Sequence, residues 1–190
     1  MTIRIHSGGA QGADTWFEYY GCKQGIEVIK YSFFEHDIKI TNYGGIQHIL
    51  DDEQLYQFEG LVKQAATRQE RKYSNKSEYV KKLLLRNAYQ VINSDLIVAV
   101  SSIQDFENIK VKGGTGWAVA TASILDKPIY VFDQNLDLWY DNNKRIGLQK
   151  TETDPIISDC PDDIAGIGSR YLNISGKEAI KYFFQEGNDE

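Results

Sequence analysis

The sequence predicts an α/β fold: a Rossmann-like, three-layer domain built on a parallel sheet, with residues 1–190 forming a single domain. Three observations carry this expectation. A strand, a glycine turn and a helix follow one another twice along the chain. The run from Asp95 to Val100 and the run from Pro128 to Phe132 are apolar enough for strands buried on both faces. The composition, 42% hydrophobic and 25% charged, is that of an ordinary globular protein rather than a disordered one.

Taken in order, Thr2 to His6 alternates β-branched and polar residues and ends at Ser7-Gly8-Gly9. Ala13 to Lys23 reads as a helix with an apolar stripe of Trp16, Phe17 and Tyr20, and Ile26 to Tyr31 as a second strand. Phe33 to Gly45 has no period and reads as a loop. Asp51 to Arg71 and Ser77 to Asn93 are expected to be helices, the second opening on Ser77-Glu78. After the strand Asp95 to Val100, Gly113-Gly114-Thr115-Gly116 is expected to lead into a helix, Trp117 to Leu125. Leu136 to Tyr140 and Arg145 to Leu148 suggest a hairpin, Gly166 to Arg170 a flexible loop, and Gly176 to Phe184 a closing helix.

Bulk properties narrow the function. The net charge of −6 argues against a nucleic acid polymer as partner, because tracking phosphates needs a basic face. It leaves room for a mononucleotide, whose few charges backbone amides can meet. The opening MTIRIHSGGAQ lacks the basic flank and apolar core of a signal peptide. No apolar run approaches the roughly 18 residues of a membrane span, so the expectation is a cytoplasmic protein without membrane partners. His6, His36 and His48 show no metal-ligand spacing, Cys22 and Cys160 stand far apart, and no cofactor motif occurs. No metal or cofactor is expected.

The chemistry concentrates in the two glycine turns. In Ser7-Gly8-Gly9-Ala10-Gln11-Gly12-Ala13-Asp14, glycines let the backbone turn tightly, and free amides at a helix start attract anions. The spacing matches neither G-x-G-x-x-G nor the P-loop, so this turn reads as a phosphate cradle or simply as a short connection. Lys112 to Trp117 repeats the same physics. Two such turns on one parallel sheet put two helix N-termini at its carboxyl edge, where open α/β sheets bind ligands. Trp117 is either a stacking surface for a base or a core residue. Asp14 and Asp133 are candidate carboxylates, each with a local alternative as first-turn residue or turn former. Arg86 reads as an anion clamp or a solvated helix arginine, and Arg170 as a ligand contact or a surface residue.

The segment Arg86-Asn87 … Ser94 to Val100 … Gly113-Gly114-Thr115-Gly116 resembles the SLOG superfamily, which includes the lonely-guy phosphoribohydrolases once labelled lysine decarboxylases. Ser7-Gly8-Gly9-Ala10 … Gly12-Ala13-Asp14 resembles the first SLOG glycine turn. GGTGWAVA, KPIYVFDQ and Ala165 to Arg170 are similar to a small phage-encoded branch. The resemblance implies a SLOG-type fold and a nucleotide-derived ligand, such as an ADP-ribose conjugate or a cyclic nucleotide. It places ligand contacts at Ser7, Gly8, Gly9, Gly12, Ala13, Asp14, Arg86, Asn87, Gly113, Gly114, Thr115, Gly116, Trp117, Asp133 and Arg170. It also implies a homo-oligomer, for which the Val80-Leu83-Leu84 stripe could serve.

The departures from the family pattern P-G-G-x-G-T-x-x-E point to binding without catalysis. Lys112 stands at the proline, Trp117 at the threonine and Ala120 at the acid-base glutamate, while Asn87 replaces the lysine beside Arg86. Alanine has no proton to give or take. The resemblance therefore implies sequestration of an immune messenger by a phage protein in the host cytoplasm. Its enzymatic alternative is a nucleotide N-glycosidase or phosphoribohydrolase in which another carboxylate substitutes.

Overall fold

The structure is a computed structural model that describes residues 3–36, 41, 43–144 and 146–185. In chain order, β1 (Arg4–Ser7), α1 (Ala13–Lys23) and β2 (Glu27–Phe33) form the opening β-α-β unit. There follow β3 (Ile46–Leu50), α2 (Asp52–Tyr56), α3 (Glu59–Arg68) and α4 (Glu78–Ile92). Next come β4 (Leu96–Ser101), the short antiparallel pair β5 (Ile103–Asp105) and β6 (Lys110–Val111), α5 (Gly113–Ile124) and β7 (Ile129–Asp133). The chain finishes with β8 (Leu138–Asp141), β9 (Gln149–Lys150), β10 (Asp163–Gly168) and α6 (Ile174–Phe183).

Eight strands make one sheet in the order β3-β2-β1-β10-β4-β7-β8-β9. Six of them run parallel; β8 and β9 pair antiparallel at one edge. Helices α1 and α6 cover one face, where Phe17, Phe183 and Phe184 are fully buried against Ile5, Val98 and Ile164. Helices α3, α4 and α5 cover the other. The expected three-layer, Rossmann-like architecture is therefore present, on a mostly parallel sheet. Among the described residues no helix is long and apolar enough to cross a membrane.

Four sequence expectations change. The helix expected from Asp51 to Arg71 is two helices, broken at Gln57 and Phe58. The first is held by a capping box between Asp51 and Gln54, and each half buries its own apolar residues: Leu55 in one, Val62, Ala65 and Ala66 in the other. The strand β3 was not foreseen, because its first four residues are exposed and show no burial pattern. Helix α5 starts at Gly113, not Trp117, so its glycines lie inside its first turn. The largest change is β10. Gly166 to Gly168, expected as loop, belong to the strand between β1 and β4 at the centre of the sheet. Its glycines are a packing requirement. A Cβ on Gly166 would come within 2.5 Å of the Phe17 ring. The loop expected over Phe33 to Gly45 lies partly outside the described residues, as does Arg145 of the expected hairpin; its second strand is β9.

Candidate functional site

Strand order reverses around β10: the chain proceeds from β1 through β2 to β3 in one direction and from β4 to β7 in the other. Crevices form at the carboxyl ends of strands at such a point. Here the crevice is a cavity of about 660 Å³, within the range of sites for drug-sized ligands. Its sheet edge is formed by Ser101, the last residue of β4, with Ser102 after it, and by Ile167, Gly168 and Ser169 at the end of β10.

Two buried side chains of opposite charge meet in it. Arg86, from α4, and Asp14, from the first turn of α1, are both 3% exposed. Their Nη1 and Oδ2 atoms lie 3.6 Å apart, an ion pair without a hydrogen bond. Asp14 is otherwise well held: Oδ2 accepts from the Ala10 amide and Oδ1 from the Gly168 amide, both at 3.3 Å. Burial raises its carboxyl above the ordinary range, with Arg86 and those amides pulling the other way. Arg86 is not satisfied. Among the described residues, its buried Nε and Nη1 have no hydrogen-bond partner. An unmade hydrogen bond on a buried charged donor costs at least about 1–3 kcal/mol, so these atoms are primed for an anionic acceptor.

The remaining walls add positive charge and donors. Lys112, the residue before α5, and Arg170, exposed in the loop after β10, line the cavity together with the Thr115 side chain. Helix α5 begins without a side-chain cap, and Gly113, Gly114 and Thr115 lie at the cavity. The leading amides of a helix have no partner inside it, so these three can donate to a ligand. His36, just beyond β2, also faces the cavity. Its Nδ1 bonds Ser32 Oγ at 3.1 Å, and its ring stacks on Phe33. Burial, helped by the nearby Arg86, pushes it down to about 4, which keeps the ring neutral at pH 7. The α4 wall is apolar, with Val80, Leu83 and Leu84 beside Tyr79. The stripe expected to mediate assembly thus faces the cavity.

Of the residues expected from the sequence to touch ligand, the structure brings Asp14, Arg86, Asn87, Gly113, Gly114, Thr115 and Arg170 to the cavity. The others stand behind it. Ser7 is fully buried; its Oγ donates to the Asp14 carbonyl at 3.2 Å and accepts from the Gly9 amide at 3.3 Å. Gly8 packs under the Arg86 guanidinium, and Gly12 against Ser169 and Arg170. The Ala13 amide is taken by the Ser169 carbonyl at 3.1 Å, so the first amide of α1 is not free for an anion. Gly116 packs against the Val111 carbonyl.

Two expectations are corrected outright. Trp117 is buried in the core against Tyr73; the helix begins four residues earlier than expected, which sets Trp117 one turn back from the end that meets the cavity. Asp133 is buried away from the cavity as a turn former, accepting amides from Ile103 at 2.6 Å, Asn135 at 2.7 Å and Leu136 at 3.1 Å. Ala120 is fully buried inside α5.

Sequence reasoning missed His36, Tyr79, Ser101, Ser102, Gln134 and Tyr171 as lining residues. The serines could have been found, since they directly follow a strand whose carboxyl end faces the ligand edge. Nothing local marks His36 or Tyr171. Among the described residues, no cluster of His, Cys, Asp and Glu could hold a metal ion.

No protein-family model matches the sequence, and no curated protein matches it. Among solved structures, the chain is similar to the crystal structure of a "putative molybdenum carrier protein" from Syntrophus aciditrophicus SB. The TM-score is 0.51 at 13% identity, over 97% of this chain and 96% of that one. A likeness at this identity concerns the fold alone, a Rossmann-like α/β architecture.

Proposed function

We propose that this protein binds a nucleotide-derived small molecule, an ADP-ribose conjugate or a cyclic nucleotide, and holds it without cleaving it. The observation that carries the reading is Arg86: a buried guanidinium whose Nε and Nη1 have no partner among the described residues, in a cavity of about 660 Å³. A phosphate offers the planar fork what it lacks, a pair of anionic oxygens. The leading amides of α5, the Thr115 hydroxyl and the Lys112 ammonium supply further donors at the same cavity. Among the described lining residues, Arg86, Lys112 and Arg170 outweigh the acidic Asp14, although the chain as a whole carries −6.

Retention rather than cleavage is supported by the same residues. Ala120, at the position of the family's acid-base glutamate, is buried and cannot serve. Asp14 spends both carboxylate oxygens on amides and on Arg86. The resemblance to phage-encoded SLOG proteins supports the biological setting, removal of a messenger made by a bacterial immune sensor. A second reading, hydrolysis, draws on one observation: burial raises the Asp14 carboxyl, the direction a general acid needs.

The test is incubation of purified protein with ADP-ribose, then heat release and mass spectrometry of what comes off. Stoichiometric recovery of intact nucleotide is the expected result. Conversion of excess ADP-ribose that disappears in Asp14→Asn would establish the hydrolase instead. Molybdate belongs in the same experiment, because the structural neighbour is named as a molybdenum carrier and molybdate, like phosphate, is a tetrahedral oxyanion. Tight molybdate binding that no nucleotide displaces would replace the nucleotide reading with an oxyanion one.

A further inference from the structure

We infer that the cavity holds a ring system as well as an anion: an aromatic base lies between Tyr171 and the apolar wall of α4, making Tyr171 a specificity-determining residue. This rests on the nucleotide reading above and goes beyond it by dividing the cavity into two subsites.

The two walls belong to different layers of the fold. Tyr79, Val80, Leu83 and Leu84 are spaced to share one face of α4, which packs on the α3–α5 side of the sheet. Tyr171 lies in the connection from β10 to α6, which belongs to the opposite layer, and it lines the same cavity. An occupant standing at the sheet edge is therefore flanked by both.

The exposure of Tyr171 is at odds with its anchoring. The side chain is 86% exposed, so its ring touches little of its own protein. Its backbone, by contrast, is pinned. The Tyr171 amide donates to Ser169 Oγ at 3.1 Å, and that hydroxyl donates back to the Tyr171 carbonyl at 3.1 Å. Two residues on, the Asn173 amide donates to Gln134 Oε1 at 2.8 Å and Asn173 Nδ2 to the Gln134 carbonyl at 2.9 Å. A large ring held out on a fixed support at a cavity rim is suited to stacking, because little freedom is lost when the partner arrives. Arg170 precedes it and lines the cavity too, so the rim offers a cation beside an aromatic, the pairing that phosphate and base require together. Trp117, which the sequence offered for this task, is occupied in the core. Arg86 and Lys112, with the α5 amides, constitute the anion subsite.

Ribose 5-phosphate and ADP-ribose separate the subsites, since the first carries phosphate without a base. Titration calorimetry on the full chain compares the parent with Tyr171→Ala and Tyr171→Phe. The alanine variant is expected to lose about ten- to hundredfold in affinity for ADP-ribose, while ribose 5-phosphate binds it as it binds the parent. Phenylalanine restores the ADP-ribose affinity, since stacking needs the ring and not the hydroxyl. Because the side chain is exposed, melting temperatures of all three proteins should coincide, which removes misfolding as an explanation. The inference is overturned if Tyr171→Ala keeps its ADP-ribose affinity, or if it loses both ligands equally. A parent that binds neither probe refutes the nucleotide reading itself, and with it this subsite.

Discussion

The two glycine turns look alike in the sequence and are built for different ends. In the first, between β1 and α1, the glycines make room for other parts of the protein. A Cβ on Gly8 would fall 1.3 Å from Arg86 Nη1, and one on Gly12 would fall 2.3 Å from the Ser169 carbonyl oxygen. Three amides of this turn are spent inside the protein, Gly9 on Ser7, Ala10 on Asp14 and Ala13 on Ser169, although Ala10 and Gln11 line the cavity. In the second, at the start of α5, a Cβ on Gly113 meets nothing within 4 Å, and one on Gly114 only Asn87 Nδ2 at 3.9 Å. That turn leaves open space where the helix's unpaired amides point. The lesson is that a strand–glycine–helix pattern locates the functional edge of the sheet without saying which turn faces the ligand.

The largest expected effect breaks the comparison on stability. Gly12 sits at φ 102°, in the region L side chains rarely adopt, and its missing Cβ is where Ser169 and Arg170 pass. Gly12→Ala should cost about 2–4 kcal/mol, which for a chain of this size lowers Tm by roughly 4–16 °C. Gly114→Ala, by contrast, should leave Tm within a few degrees, since replacing glycine in a helix by alanine gains about 1 kcal/mol. Equal losses in thermal melts would show that the two turns are equivalent after all.

The next effect is read on binding. Gly114→Val should abolish ADP-ribose binding while preserving the fold, because the side chain fills the space in front of the α5 amides. Arg86→Ala should weaken binding by about 1.5–3 kcal/mol, the range of a hydrogen bond to a charged group. Calorimetry checks both. If Gly114→Val binds like the parent while Arg86→Ala does not, the anion rests on the first-turn side alone.

Much of this architecture was legible in the sequence. Buried strands such as Leu96 to Ser101 announce themselves by apolar runs, and Ser77 marks the start of α4, where its side chain accepts from the Val80 amide. Arg86 stood out as an arginine directly after three leucines, a place where a charge needs a reason. What was not legible depends on distant partners. The glycines of β10 look like loop residues until Phe17 is seen against Gly166. The open readings of Trp117 and Asp133 close on their structural side, because the point where α5 begins, or a bond to a distant amide at Ile103, decides where they lie. Tyr171 and His36 reach the cavity from loops, where no periodicity aims a side chain.

The smallest effect sharpens the comparison by asking which turn the anion approaches. His36 is held down to about 4 by burial, with Arg86 adding to it. A depressed folded value means that His36 contributes stability above its ordinary 6.5, and that this is lost as pH falls from 6.5 through about 4. After discounting for solvent screening the contribution is on the order of 1 kcal/mol. Asp14 has the opposite sign, since its raised value favours the fold at lower pH and loses that contribution as pH rises through it. The difference between the parent and His36→Asn isolates the histidine, and denaturant melts between pH 7 and 4 should show the variant losing less stability. Ligand then makes the ring a reporter. A phosphate seated against Arg86 neutralises the charge that depresses His36, so its titration, followed by NMR, should move back up toward 6.5, each unit being worth about 1.4 kcal/mol of coupling. ADP-ribose affinity should then rise as pH falls through that interval. A phosphate resting only on the α5 amides would leave the His36 titration where it was, and would assign the anion to the second turn.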